Sequence, residues 1–205
     1  MVRAFLLLAL GGPGPPGTPR TPGPPGTDPP CRLLYARTFR NPPGNPPESP
    51  ERQRLRRKEQ LLAVGRQVAS QCQLLQAASG RSPPPHPLPE GSLSLQEAPG
   101  GVFQLPPGDL FPQRTRVTWL SFLALAFALI CDPEENLSLA EITLRRLAPR
   151  LMVALRVLGS GAEVLLRPDA ADGLLDHLLP QGQMMFLNQG LLQALDRELG
   201  RKTSQ

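Results

Sequence analysis

Few side chains in this sequence of 205 residues could do proton-transfer, nucleophilic or metal chemistry, and their spacing argues against each. His86 sits in a Pro-Pro-Pro-His-Pro run that offers it no fixed partner. His177 stands beside Asp176 and near Asp172. An Asp/His pair on a helix can form a weak metal site, but no third ligand type is near, so a solvated helix face is the simpler reading. Cys31, Cys72 and Cys131 are far apart, odd in number, and lack an adjacent His or a CxxC spacing, so they fit neither a disulfide framework nor a metal site. Cys72 and Cys131 fall on apolar faces, where a thiol is inert, and this usage suits a reduced, intracellular compartment. Gly159-Ser160-Gly161 follows a helix, where a phosphate loop or nucleophile elbow would follow a strand, and so reads as a helix terminator. Asn136-Leu137-Ser138 is a formal glycosylation sequon that reads as the turn before a helix. No enzyme, cofactor or metal is expected.

The remaining chemistry is charge. Residues 1–82 carry a net +8 and residues 83–205 a net −3, although the whole chain is only +5. The excess is densest at Arg52, Arg54, Arg56, Arg57 and Lys58. Such a run can meet nucleic acid, anionic lipid or an acidic partner, or simply be the wet face of a helix. No aromatic residues interleave it, and Trp119 and Tyr35 fall in expected strands, so nucleic acid is not the expected partner.

The elements that carry these residues follow from pattern. Of 27 prolines, 23 lie at or before Pro112, which concentrates low-complexity sequence in the first half. Residues 11–30 and 40–48 are expected as disordered Pro/Gly-rich loops and 80–100 as a Pro/Ser-rich linker, all interrupting a single domain spanning 1–200, and 201–205 follow it as a flexible tail. Strands are expected at 2–10 and 31–39. In the second, Leu33, Tyr35, Arg37 and Phe39 share one face, and Arg37 interrupts it, as suits a strand near an edge. Ser49 caps a helix with Pro50 at its first position, and Leu61, Val64, Val68, Cys72 and Leu75 form its apolar stripe before Ser79-Gly80 ends it. Short strands at 102–105, 115–122 and 125–131 follow.

A capping box, Ser138 to Glu141, then opens a helix with Ala140, Leu144, Leu147, Leu151, Ala154 and Leu158 on one side. Pro149 inside it predicts a kink or break. A short helix over 169–179, an apolar patch at Met184 to Leu187 and a last helix with Leu192, Leu195 and Leu199 complete the chain. The order is β-β-α-β-β-β-α-α, an α+β arrangement with a mostly antiparallel sheet of about five strands and helices on both faces.

Two apolar stretches raise the question of a membrane. Residues 4–10 reach the lower limit of a secretory h-region, but a buried first strand is preferred because the run meets a proline cluster and the cysteines are unpaired. Val117 to Cys131 is uncharged for 15 residues, short of the roughly 20 needed to span, and reads as a central hairpin turning near Leu123 to Leu125.

Several segments then carry a likeness. Met-Val-Arg-Ala-Phe-Leu at the start, Cys31-Arg-Leu-Leu-Tyr35, Arg54-Leu-Arg-Arg-Lys-Glu-Gln-Leu-Leu-Ala-Val64, Phe127-Ala-Leu, Glu135-Asn-Leu-Ser-Leu-Ala-Glu141 and Leu179-Pro-Gln-Gly-Gln-Met-Met-Phe-Leu-Asn188 together resemble the small (sigma) subunits of heterotetrameric adaptor protein complexes, in particular those of the fifth such complex. The likeness covers nearly the whole chain outside the inserts at 11–30 and 40–48.

It implies a longin-like fold and a non-enzymatic subunit, with no cofactor. This subunit would pack against a large adaptin and join a second large chain and a medium chain. The likeness also implies cytoplasmic, peripheral residence on late endosome and lysosome membranes, work in cargo retrieval, and association with spatacsin and spastizin. The alternatives are a stand-alone longin-type trafficking regulator and a secreted or membrane-tethered protein. A domain with an apolar sheet and no reactive constellation is built to bind. The candidate partner surface is the outer part of the 140–158 helix with the Met184–Leu187 patch, represented by Leu147, Leu151, Met184, Met185 and Phe186; the methionines also suit ordinary core packing. Arg54, Arg56, Arg57 and Lys58 are the basic surface candidates.

Overall fold

The computed structural model describes residues 1–10, 31–39, 49–79, 98–155, 168–185 and, near the C-terminus, residues 190, 192–194 and 197. The loop expectations at 11–30 and 40–48, most of the linker, the tail, His86, Ser160, Leu158, Phe186, Leu187, Leu195 and Leu199 lie outside the described residues.

The strands are β1 (Val2–Leu10), β2 (Cys31–Thr38), β3 (Gly100–Leu105), β4 (Thr115–Phe122) and β5 (Leu125–Cys131). The helices are α1 (Pro50–Ser79), α2 (Leu137–Ala154) and α3 (Pro168–Leu178), with a 3₁₀ turn at Pro180–Gly182. The element order is the one expected. The strands form one sheet in the order β2-β1-β5-β4-β3, and every neighbouring pair is antiparallel. The uncharged block at 117–131 is therefore a hairpin, and Leu123 at its tip takes a φ of 55°. No helix among the described residues is long and apolar enough to cross a membrane.

Continuous apolar runs put β1 and β5 in the middle, because both of their faces must be shielded. All seven residues of β5 are buried. One face, carrying Leu6, Leu8, Val117, Trp119, Ala126 and Ala128, packs under Val64, Val68 and Cys72 of α1. The other, carrying Phe5, Leu7, Leu120, Phe127 and Leu129, packs under Leu144, Leu147 and Leu151 of α2 and Leu174, Leu175 and Leu178 of α3. Gly65 lets α1 come close to the sheet: a Cβ there would lie 3.2 Å from Leu8 Cδ2 and 3.5 Å from Cys31 Sγ. Gly182 is needed for two reasons. Its φ is +80°, and a Cβ would collide with the Val2 carbonyl oxygen and sit 2.8 Å from Phe39 Cβ, so the 3₁₀ turn is pressed onto the ends of β1 and β2.

Five expectations are corrected. The stripe of α1 ends at Cys72; Leu75 is exposed, because 30 helical residues reach about 45 Å and outrun strands of at most nine. The cap of α2 is Asn136, whose side-chain oxygen accepts from the Leu139 N–H at 3.1 Å, so the helix starts before the Ser138–Glu141 box. Pro149 does not break α2. It shares an outward row with Ile142 and Val153, so the hydrogen bond it cannot make is lost on the side that water reaches. Alternation in β2 is interrupted: Leu7 faces Tyr35 but Leu8 faces Leu33, so Leu34 is bulged. Leu33 therefore packs on the α1 side, while Leu34 and Tyr35 pack on the other. Finally, β3 begins at Gly100, and Ala98, at the end of the stretch read as linker, is buried in the core.

Leu147 is wholly buried between α2 and the sheet. Leu147→Ala is expected to cost about 2–5 kcal/mol, read as a lower urea midpoint at unchanged slope. An unchanged midpoint would show that this face of α2 is not packed.

Candidate interaction surfaces

Charged side chains fasten the helices to the sheet, and their geometry separates structural residues from available ones. Arg37 on the edge strand β2 explains its interruption of an apolar face. It donates from Nη1 to the Asp172 carbonyl oxygen at 2.7 Å and pairs through Nη2 with Asp176, while its guanidinium lies 5.5 Å from the Phe39 ring centroid. Tyr35 donates its hydroxyl to Asp172. Burial, with the Asp172 carboxylate next, raises the Tyr35 pKa. The two aspartates nearest His177 are thus committed to β2, and His177 Nδ1 lies 2.6 Å from the Gly173 carbonyl oxygen. Among the described residues no group of three His, Cys, Asp or Glu could hold a metal ion.

A second knot forms where β1 starts and β5 ends. Val2 faces Cys131 and Ala4 faces Ile130, so Arg3 is an extra, bulged residue of β1. Its Nε donates to Asp132 and its Nη2 to Gln113 Oε1 at 3.1 Å. The Met1 amino group pairs with Asp132 at 3.3 Å and with Glu135. Burial opposes ionisation of Asp132, but the Arg3 hydrogen bond and charge outweigh it, and its pKa is lowered. Cys72 and Cys131 are inert for a physical reason: burial pushes the Cys72 thiol up to about 11 and the Cys131 thiol to about 12.

The structure divides the expected site residues. Leu147 and Leu151 present no surface to a partner; they are core residues, because they point at the sheet. Met184 and Met185 are half-buried against the same core, and Phe186 lies outside the described residues. What α2 does offer outward is Ile142, 49% exposed, and Val153, 79% exposed. They fall on the row opposite the periodic leucines, so an apolar-stripe search passes over them.

The basic residues of α1 are not equivalent. Arg56 Nη2 donates to the Asp109 carbonyl oxygen at 2.7 Å, and Gln60 Nε2 donates to that of Leu110, so the β3–β4 connection is tied to α1. Arg54 and Lys58 are exposed. Arg57 lines a small cleft of about 40 Å³ against β1 and the β3–β4 connection.

Comparison with known proteins adds a separate line. The family described as AP-5 complex subunit sigma-1 matches residues 1–200. A human protein named AP-5 complex subunit sigma-1 is 43% identical over 204 residues, covering 97% of this chain and 96% of that protein. A mouse protein of the same name is 48% identical over 134 residues, covering 62% of this chain and 78% of that protein.

Two measurements check the polar geometry. The folded pKa of Asp132 is lowered from 3.8, so its stabilisation is present above that value and is lost as pH falls through the folded one. Asp132→Asn should therefore shrink the loss of stability as pH falls from about 5 to about 2, measured by urea melts; an unchanged pH dependence would contradict the Arg3 pairing. In native alkylation Cys31, which is only half-buried, should react well before Cys72 and Cys131, and equal rates would contradict the packing.

Proposed function

The chain belongs to the AP-5 complex subunit sigma-1 family, and on that premise we propose that it works as a non-enzymatic small subunit, packing against a large adaptin within an adaptor complex that retrieves cargo at late endosomes and lysosomes. The observation that carries this reading is the family match across residues 1–200, together with 43% identity over nearly the full length of both chains. The five-stranded sheet between two helix layers supports it, because such a domain presents a rigid shell to a partner and relies on packing in place of reaction. A medium chain and a second large chain complete the assembly, and spatacsin and spastizin are its expected companions.

The contact surface proposed for the large chain is the outward row of α2, with Ile142 and Val153; the half-buried Met184 and Met185 are a second candidate patch. Exposed aliphatic side chains on a rigid helix are what an interface core needs, and their burial there would remove the main apolar exposure of that face.

Affinity purification of the tagged chain from cells, read by quantitative mass spectrometry, should recover a large and a medium adaptor chain in near-equal amounts. Recovery as a lone monomer would overturn the reading. Val153→Asp should cut recovery of the large chain at least about tenfold while leaving the melting temperature within a degree or two, since the side chain meets water in the free chain. Undiminished recovery would remove this row from the interface.

A further inference from the structure

The sheet has two edge strands, and they are built differently. On β2 the edge carries Arg32 and Arg37 and is bent by the bulge at Leu34. Charges and bulges are the usual devices that stop an edge from pairing with another chain. On β3 neither device is present. Its sequence Gly-Gly-Val-Phe-Gln-Leu is uncharged, and its register with β4 runs unbroken from Gly100 to Leu105. Pro99 and Pro106 bracket this stretch and confine further pairing to it.

The ladder decides which groups β3 turns outward. The Ser121 N–H donates to the Pro99 carbonyl oxygen at 2.8 Å, so these two residues oppose each other as a hydrogen-bonded pair. Such pairs alternate in an antiparallel ladder, which directs the main chain of Gly101, Phe103 and Leu105 at β4. The N–H and C=O groups of Gly100, Val102 and Gln104 point the other way, where no described strand lies. Val102 is also 42% exposed, an apolar side chain at the centre of an open edge.

This edge is continuous with the surface proposed for the large chain. Arg145 of α2 donates to the Ala98 carbonyl oxygen at 3.2 Å, which brings the flank of α2 alongside the entry to β3. Ile142 lies one helical turn before Arg145. Val102 is on the α2 side of the sheet, because Leu120, opposite Gly100, packs in the core under α2. One partner can therefore cover Ile142 and reach the β3 edge from the same side.

We propose that β3 accepts an extended, uncharged segment of the large chain as a sixth strand, paired through the main chain of Gly100, Val102 and Gln104. Main-chain pairing supplies the attachment, and a small or β-branched side chain beside Val102 gives the fit. A charged strand would be desolvated against β3 without a counter-charge, which is why the segment is uncharged. The proposal rests on the subunit reading above and adds the mode of attachment.

Hydrogen exchange is measured by mass spectrometry with residue-resolving fragmentation, on the free full chain and on the complex recovered with the tagged chain. The Val102 and Gln104 amides should exchange at least about a hundredfold more slowly in the complex. Those of Phe103 and Leu105, already bonded to β4, should be slow in both. Val102→Pro deletes an outward donor and leaves the β4 ladder whole, so it should cut recovery of the large chain at least about tenfold. Val102→Thr keeps the donor and the branched shape and should recover it normally. Should Val102→Pro melt early, Gln104→Pro removes the next outward donor and takes its place. Unchanged exchange at Val102 and Gln104 in a complex that contains the large chain overturns this proposal alone, as does undiminished recovery by both proline variants. Recovery as a lone monomer overturns it together with the subunit reading. Protection of the same amides in the free chain, growing with its concentration, assigns the edge to a second copy and also overturns it.

Discussion

The pairing of β1 with β5 is the constraint on which the rest of the molecule depends. Both strands are apolar on both faces, and each lies between two others in the sheet. A sheet whose centre is apolar on two sides cannot meet water on either, so two helix layers are obligatory. The polar contacts then serve position more than stability. Arg37 and Tyr35 hold α3 over the edge strand, and Asp132 gathers Arg3 and the Met1 amino group at the end of β1. Each is part-exposed and contributes little by itself, but each sets where an already buried element comes to rest.

Most of the architecture was legible in the sequence because its signals were continuous. The run from Val117 to Cys131 is too short for a membrane and long enough for a hairpin, and the 3.6-residue stripe of α2 named its buried side correctly. Failures came where local rules competed. Ser138 and Asn136 are both good caps, and only the geometry of the entering chain selects Asn136. Pro149 breaks a helix in isolation, yet its outward position here makes the missing bond inexpensive to lose. The bulge at Leu34 carries no composition signal, so strict alternation misplaced Leu33 relative to Tyr35.

The candidate surface was less legible than the fold, for a related reason. A leucine stripe announces burial without saying against what, so Leu147 and Leu151 could be assigned to a partner when they belong to the chain's own sheet. The residues left over, Ile142 and Val153, are isolated in sequence and gain meaning only on the outward row of α2. The basic segment shows the same limit. Spacing named the cluster at Arg54, Arg56, Arg57 and Lys58, but could not tell that Arg56 braces the β3–β4 connection while Arg57 borders a cleft.

The sheet order also has a bearing on how the chain is made. β1 must find a neighbour that is translated over one hundred residues after it, since Val2 lies against Cys131 and Leu8 against Ala126. Until then β1 can pair only with β2, and a lone two-stranded ribbon is barely stable in water. Nascent chains therefore carry an uncovered, strongly apolar segment until β5 has been made, and the long sequence separation of this central pairing belongs to the slower class of sheet topologies.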